Sequence, residues 1–163
     1  VNYHTLKELN QGHGLAEFID SVIRAKKYGI QTCAHMITDL PMDNIEDVIE
    51  GARILSAIGV EQVKCHSLYI LKETKMGEWY SRGLIQPHTM GSFIERTIAF
   101  LEYLSPEIVI QRLIGRAPEE RCLFCSWETS WWKVVELLEN QMRANGSYQG
   151  RKFHYLNGSV CSM

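Results

Sequence analysis

The chain has 163 residues, is 45% hydrophobic and 22% charged, and carries 17 Lys+Arg against 19 Asp+Glu, a formal net charge of −2. These values suit one globular domain with a real core and exclude disorder, collagen and low complexity. They imply no polyelectrolyte partner. No Lys/Arg block marks a nucleic-acid patch, no apolar run approaches the ~18 residues of a membrane span, and the opening residues do not read as a signal peptide. Five cysteines, an odd number in a core of this size, read as reduced thiols of a cytoplasmic protein.

Tyr3 to Asn10 is predicted as a short helix ended by Gly12-His13-Gly14. Leu15, Phe18, Ile19, Val22 and Ile23 recur at the helical period and predict an amphipathic helix that Gly29 closes. Ile30 to Thr38 reads as a strand that stops at Asp39-Leu40-Pro41, because proline cannot donate to a ladder. Asp43 and Glu46 resemble a capping box for a helix whose buried face is Ile45, Val48, Ile49, Ala52 and Leu55 and which Gly59 closes. Val60 to Leu71 reads as a second strand, Lys75 to Arg82 as a short helix, and Phe93 to Leu104 as a helix capped by Thr89 or Ser92. Ile108 to Leu113 reads as a third strand, Gly115 to Glu128 as irregular, and Trp131 to Met142 as a last helix closed by Asn145-Gly146. From Ser147 onward a tail is expected to lie on the body.

Strands alternating with helices predict an α/β fold of parallel strands with right-handed crossovers. Three parallel strands are few, the first long helix has no strand before it, and Val1 is not a methionine. The pattern therefore predicts the C-terminal half of a larger sheet or barrel, with a complete small three-stranded domain as the rival.

In parallel α/β folds the sites lie beyond the carboxyl ends of the strands, here Thr38 to Asp43, Tyr69 to Thr74 and Leu113 to Pro118. Alternation puts Cys33, His35, Ile37 and Asp39 on one face of the first strand and Lys64, His66, Leu68 and Ile70 on one face of the second. Lys64 and His66 interrupt an apolar run, so they are either satisfied structural groups or line a polar cavity such as a barrel interior. Gln111 and Arg112 are pocket candidates on the third strand, expected on opposite faces, so that at most one faces a pocket. Asp43, Glu46, Asp47 and Glu50 read as a solvated, dipole-favoured helix start. Cys122-Leu123-Phe124-Cys125 is the only C-x-x-C. Zinc would need further ligands, for which His154 and Cys161 are the candidates at poor spacing, and a redox pair would sit at a helix N-terminus. The plainest reading packs both thiols under Trp127, Trp131 and Trp132.

Thr5-Leu6 and Leu9-Asn10-Gln11-Gly12-His13, then His35-Met36-Ile37-Thr38-Asp39-Leu40-Pro41, then Val63 to Ile70, Val109 to Leu113 and Ser147-Tyr148-Gln149-Gly150 follow one another in a telling order. Together they resemble radical S-adenosylmethionine (radical SAM) proteins of the YhcC-like group, relatives of the radical SAM domain of the Elongator catalytic subunit. The resemblance covers nearly the whole chain. It implies a partial (β/α)6 TIM-like barrel, of which this chain would be the last three strands plus a C-terminal helical extension. Residues 1–118 would be the half-barrel, and 119–163 a helix and tail packed on it. It further implies an enzyme that cleaves S-adenosylmethionine (SAM) reductively at a 4Fe-4S cluster, the 5′-deoxyadenosyl radical then taking hydrogen from an unknown substrate.

The C-x-x-x-C-x-x-C loop that binds such a cluster is not in this sequence. The segment alone is therefore expected to hold no metal and not to be catalytic, its partner being the missing N-terminal half of the barrel. By the resemblance Ile37 would pack on adenine, His35 would approach the ribose, and backbone at Tyr69 and Ile70 would border the adenine edge. Gln11 stands where many relatives place an arginine that pairs with the methionine carboxylate, a change that removes a charge-assisted bidentate contact. Asp39 and Met42 stand where the family has glycines. Two other functions stay open: a self-contained zinc or redox module on Cys122 and Cys125, and a non-catalytic scaffold docking through an exposed sheet edge.

Overall fold

A computed structural model of the chain describes residues 3–9, 12–116 and 119–154. Its elements in order are α1 (Tyr3–Glu8), α2 (Leu15–Lys27), β1 (Cys33–Ile37), α3 (Ile45–Ile58), β2 (Gln62–His66), β3 (Ile70–Leu71), α4 (Lys75–Ser81), α5 (Met90–Tyr103), β4 (Val109–Arg112), β5 (Cys122–Phe124) and α6 (Trp131–Asn145). β1, β2 and β4 form a parallel sheet in that order, and β3 pairs antiparallel with β5 in a second, small sheet. The α/β reading with three parallel strands therefore holds.

Alternation along the strands divides the sheet into two unlike faces. Ala34, Met36, Val63 and Cys65 are buried against Val48, Ala52 and Leu55 of α3, Phe93, Phe100 and Leu101 of α5, and Val134 and Leu138 of α6. Lys64, His66, Gln111 and Arg112 belong to the other face, where His35 and Arg112 are exposed. Helix ends follow local chemistry. Gly59 closes α3 in the left-handed conformation that glycine adopts without a Cβ penalty, and Thr89 caps α5 by accepting from Ser92 N at 3.2 Å. At the start of α3 the cap falls one residue later than the sequence suggested. Asn44 and Asp47 exchange side chain and backbone at 2.9 Å in both directions, and Asp43 turns inward instead of facing solvent.

Two further expectations are corrected. Val60 to Leu71 is not one strand: the ladder of β2 stops at His66, and β3 is a separate two-residue strand. The reason is a side chain, since Asp39 Oδ1 accepts the Leu68 N–H at 2.8 Å and takes that donor out of any ladder. The stretch 115–128 is likewise not wholly irregular, for it supplies β5, the partner of β3. After β5, Ser126, Trp127 and Glu128 run consecutively at φ of 46, 50 and 56°, a left-handed turn without glycine. Such residues cost about 1–2 kcal/mol each. Trp127 is the peg that holds the turn: its Nε1 donates to the His88 carbonyl at 2.7 Å, and its ring lies 5.1 Å from Phe93 and 6.0 Å from Phe124. Trp131 and Trp132 are exposed, and Cys125 borders the same surface cleft as both.

Of the tail, residues 147–154 lie on the body. Gly150 N and Lys152 N donate to the Leu101 and Glu102 carbonyls at 3.0 and 2.8 Å, and Gln149 Nε2 donates to the carbonyls of Ser105 and Ile108. Glu102 anchors it further, accepting from Ser147 Oγ at 2.8 Å and pairing with Lys152 Nζ at 2.5 Å. Burial alone would raise the Glu102 pKa, but these partners outweigh it and hold the carboxylate below its ordinary value. Phe93 and Phe100 fill the space between sheet and helices with no exposure. Phe93→Ala is expected to lower unfolding stability by about 3–5 kcal/mol, because the cavity also removes the ring that backs Trp127; urea unfolding measures it.

Candidate functional site

The carboxyl end of β1 is built around one buried cation. Arg96 sits on the inward stripe of α5, one turn after Phe93 and one before Phe100. Its Nε donates to the Thr38 carbonyl at 3.0 Å and its NH2 group to the Asp43 carbonyl. Thr97 beside it shares a hydroxyl hydrogen bond with Thr38 at 2.9 Å. Helix α5 thus grips both ends of the loop 38–43. Asp43 accepts from the Thr5 hydroxyl, which fastens α1 over the same loop. Burial is the main cause that raises the Asp43 pKa.

Asp39 joins this loop to the next through its bond to Leu68 N. Its other oxygen, Oδ2, is buried with no hydrogen-bond partner among the described residues. Burial pushes the Asp39 pKa up to about 7, against the lowering effects of Leu68 N–H and Arg96. None of these contacts was foreseen from the sequence. The signal available was Arg96 itself, a charge on the apolar stripe of a helix.

Beyond these loops a cleft of about 620 Å³ opens at the carboxyl ends of β1 and β2. Ile37, Leu40, Leu68, Tyr69 and Met76 line it together with Leu6 and Leu9 of the α1 segment. Ala34 and Met36 from one face of β1 and His35 and Ile37 from the other all reach it, so the cleft wraps the edge of β1 that β2 does not occupy. Of the expected nucleoside contacts, His35, Ile37 and Tyr69 border this space. Ile70 is buried in a second small core with Leu40 and Leu68. Gln11 lies outside the described residues.

On the open face of the sheet, the ring of His35 stacks on that of His66 at 5.2 Å, with 22° between their planes. Arg112 NH2 lies 2.8 Å from His66 Nε2. A guanidinium only donates, so that nitrogen carries a lone pair and His66 is neutral. Burial, then Arg112, His35 and Lys64, holds the His66 pKa below its ordinary value. The expectation that only one of Gln111 and Arg112 faces this side fails. The pairing of β2 with β4 slips between Val63 and Lys64, so that Ile110 pairs with Val63 but Arg112 with Lys64. The bulge turns both residues to the open face, where Gln111 donates to Gln62 Oε1 and Arg112 meets His66. Gly115 closes the arrangement, for a Cβ there would collide with His66 Nδ1.

Cys122 opens β5 and Cys125 follows it, both half-buried. Among the described residues no group of three or more His, Cys, Asp or Glu is placed to hold a metal ion. Cys161 lies outside the described residues. No helix of the described residues is long and apolar enough to cross a membrane.

A parallel sheet with helices on one face, an apolar cleft at its carboxyl ends and a polar open face define the class. The chain belongs to the radical SAM C-terminal domain family, whose model matches residues 60–144. It is 33% identical over 154 residues to the protein MJ0486 of Methanocaldococcus jannaschii, with 94% of this chain covered. It is 28% identical over 156 residues to YtqA of Bacillus subtilis, with 96% covered, and 25% identical over 150 residues to YhcC of Escherichia coli, with 90% covered. Each alignment takes in 48% of the relative, so the chain spans about half the length of the curated relatives it matches. Among solved structures it is similar to the archaeal Methanocaldococcus infernus Elp3 with an N-terminal deletion, at a TM-score of 0.81, with 17% identity, 91% of this chain and 35% of that chain covered. At that identity the likeness is one of fold.

The buried acid has a consequence for stability. The folded Asp39 keeps its proton to about pH 7, whereas an unfolded aspartate loses it near 3.8. The folded state therefore binds the extra proton in that window, and stability falls as pH rises through it. Asp39→Asn retains an acceptor for Leu68 N–H and carries no charge. The variant is expected to gain stability over the parent by a few kcal/mol at about pH 8 and little at about pH 4, read from urea midpoints at the two pH values.

Proposed function

We propose that this chain forms the nucleoside-binding side and part of the substrate wall of a radical SAM enzyme. The observation that carries the reading is the apolar cleft at the carboxyl ends of β1 and β2, in a member of the radical SAM C-terminal domain family. A cleft of about 620 Å³ lies within the range of small-molecule sites. Its chemistry suits an adenosyl group: half-buried Ile37 offers an apolar surface for the purine, and the unladdered backbone of Ser67 and Tyr69 offers an edge for its polar atoms. His35 stands beside it for the ribose. Lys64, His66, Gln111 and Arg112 form the polar wall on the substrate side.

The described residues do not suit an iron–sulfur cluster. They bring no three cysteines together, and burial pushes the Cys65 thiol up to about 12, far from a ligating thiolate. In this reading the cluster's ligands lie outside the described residues, on a companion half-barrel that would also cover the open edge of β1. SAM as the cofactor would supply the radical chemistry of the whole enzyme, with Ile37, His35 and Tyr69 holding its nucleoside. This chain's own contribution is to hold and orient the nucleoside and to shape the pocket.

S-adenosylhomocysteine titrated into the chain and followed by amide NMR tests the reading. Saturable shifts are expected at Ile37, Leu40, Tyr69 and Ile70. Ile37→Ala should weaken binding by about five- to thirtyfold, the loss of an apolar contact of about 1–2 kcal/mol. No saturable response, or one confined to the other side of the sheet, overturns it.

A further inference from the structure

The open face of the sheet carries a charge distribution at odds with the chain as a whole. The protein is net acidic, at −2. Yet the strand register sets His35 of β1 opposite Lys64 of β2, and Lys64 opposite Arg112 of β4. One cationic or protonatable side chain from each strand thus stands in a single row across the sheet. His66 lies one step further on, stacked on His35 and in contact with Arg112. Among the described residues neither Lys64 nor Arg112 has a carboxylate within ion-pairing distance. The groups that bear electrostatically on His66, from β1, β2 and β4, are all basic side chains.

Two features show that the row is built. The β-bulge in β4 is what brings Arg112 to this face, and bulges commonly re-aim a side chain next to a site. Gly115 leaves room for the His66 ring, which is thereby held between His35, Arg112 and backbone. Like charges so gathered repel one another, and this is costly unless something negative joins them.

We propose that His35, Lys64, His66 and Arg112 bind an oxyanion group, phosphate or carboxylate, of the molecule on which the radical SAM site acts. The inference rests on the preceding reading for the row's place beside the nucleoside cleft. Arg112 supplies the planar two-donor fork that oxyanions fit, and Lys64 a mobile point charge beside it. On binding, Arg112 exchanges its contact with His66 for the anion. His66 then gains a proton more readily, so its pKa rises from its lowered value.

Inorganic phosphate, pyrophosphate and succinate titrated into the chain at constant ionic strength serve as probes. The imidazole signals of His35 and His66 and the Arg112 side chain report on them. Expected are saturable shifts at these groups, a higher His66 titration midpoint when the probe is bound, and at least about tenfold weaker binding in Lys64→Met and in Arg112→Gln. The better of phosphate and carboxylate probes identifies the group. Circular dichroism and the Phe93 ring signals verify that both variants keep the fold. Shifts that chloride reproduces equally, or binding that folded Lys64→Met and Arg112→Gln both retain, overturn the proposal. S-adenosylhomocysteine added to the same parent sample separates the two readings. Anion binding with no nucleoside response sinks the SAM reading alone, and the reverse sinks the anion site alone.

Discussion

Arg96 is a guanidinium that cannot shed its charge, placed where almost no water reaches it. A buried cation of this kind is tolerable only with its donors engaged, and here they are spent on two backbone carbonyls, of Thr38 and Asp43. Those carbonyls belong to the loop that follows β1. A helix entering the fold some fifty residues later therefore dictates the path of the chain at the carboxyl end of the first strand. From that loop the constraint passes on: Asp39 reaches across to Leu68 and ends the ladder of β2, and Asp43 holds α1 through Thr5. The cleft is the space these fixed loops leave between them.

The second organising fact is that, among the described residues, helices cover the sheet on one face only. Apolar burial of Val63, Cys65 and their neighbours stabilises that side. The other side keeps Lys64, His66, Gln111 and Arg112, groups whose burial without partners would be costly. Such a division is what a strand needs if its second face is to border a binding space instead of a core. The free edge of β1 and the cleft that wraps it belong to the same logic. Parallel sheets are normally covered on both faces.

Much of this was legible in the residues. The helical stripes, the glycine at the end of α3, the threonine cap of α5 and the alternation in β1 and β2 are local patterns, and the elements appeared where these placed them within a few residues. The order of motifs from Thr5 to Gly150 pointed to the family that the comparisons support. What escaped were features set by partners distant in sequence. Asp43 reads locally as a cap, yet it is drawn inward by Thr5, and Asn44 takes the cap in its place. The break of the second strand after His66 depends on a carboxylate twenty-nine residues away. β5 is too short and too mixed to announce itself, and exists because β3 offers it an edge.

The amino-acid sequence by itself determined the long helices and their apolar stripes, the alternation in β1 and β2, and that the three main strands run parallel, because these follow from side-chain periodicity and connection length. Tertiary structure alone decided which polar groups meet. Gln111 and Arg112 share a face through a slip in register that no periodicity encodes. The row of His35, Lys64 and Arg112 exists only where three separate strands lie side by side. Charge along a chain is a local property, but an electrostatic field is a sum over space, and only folding brings its sources together.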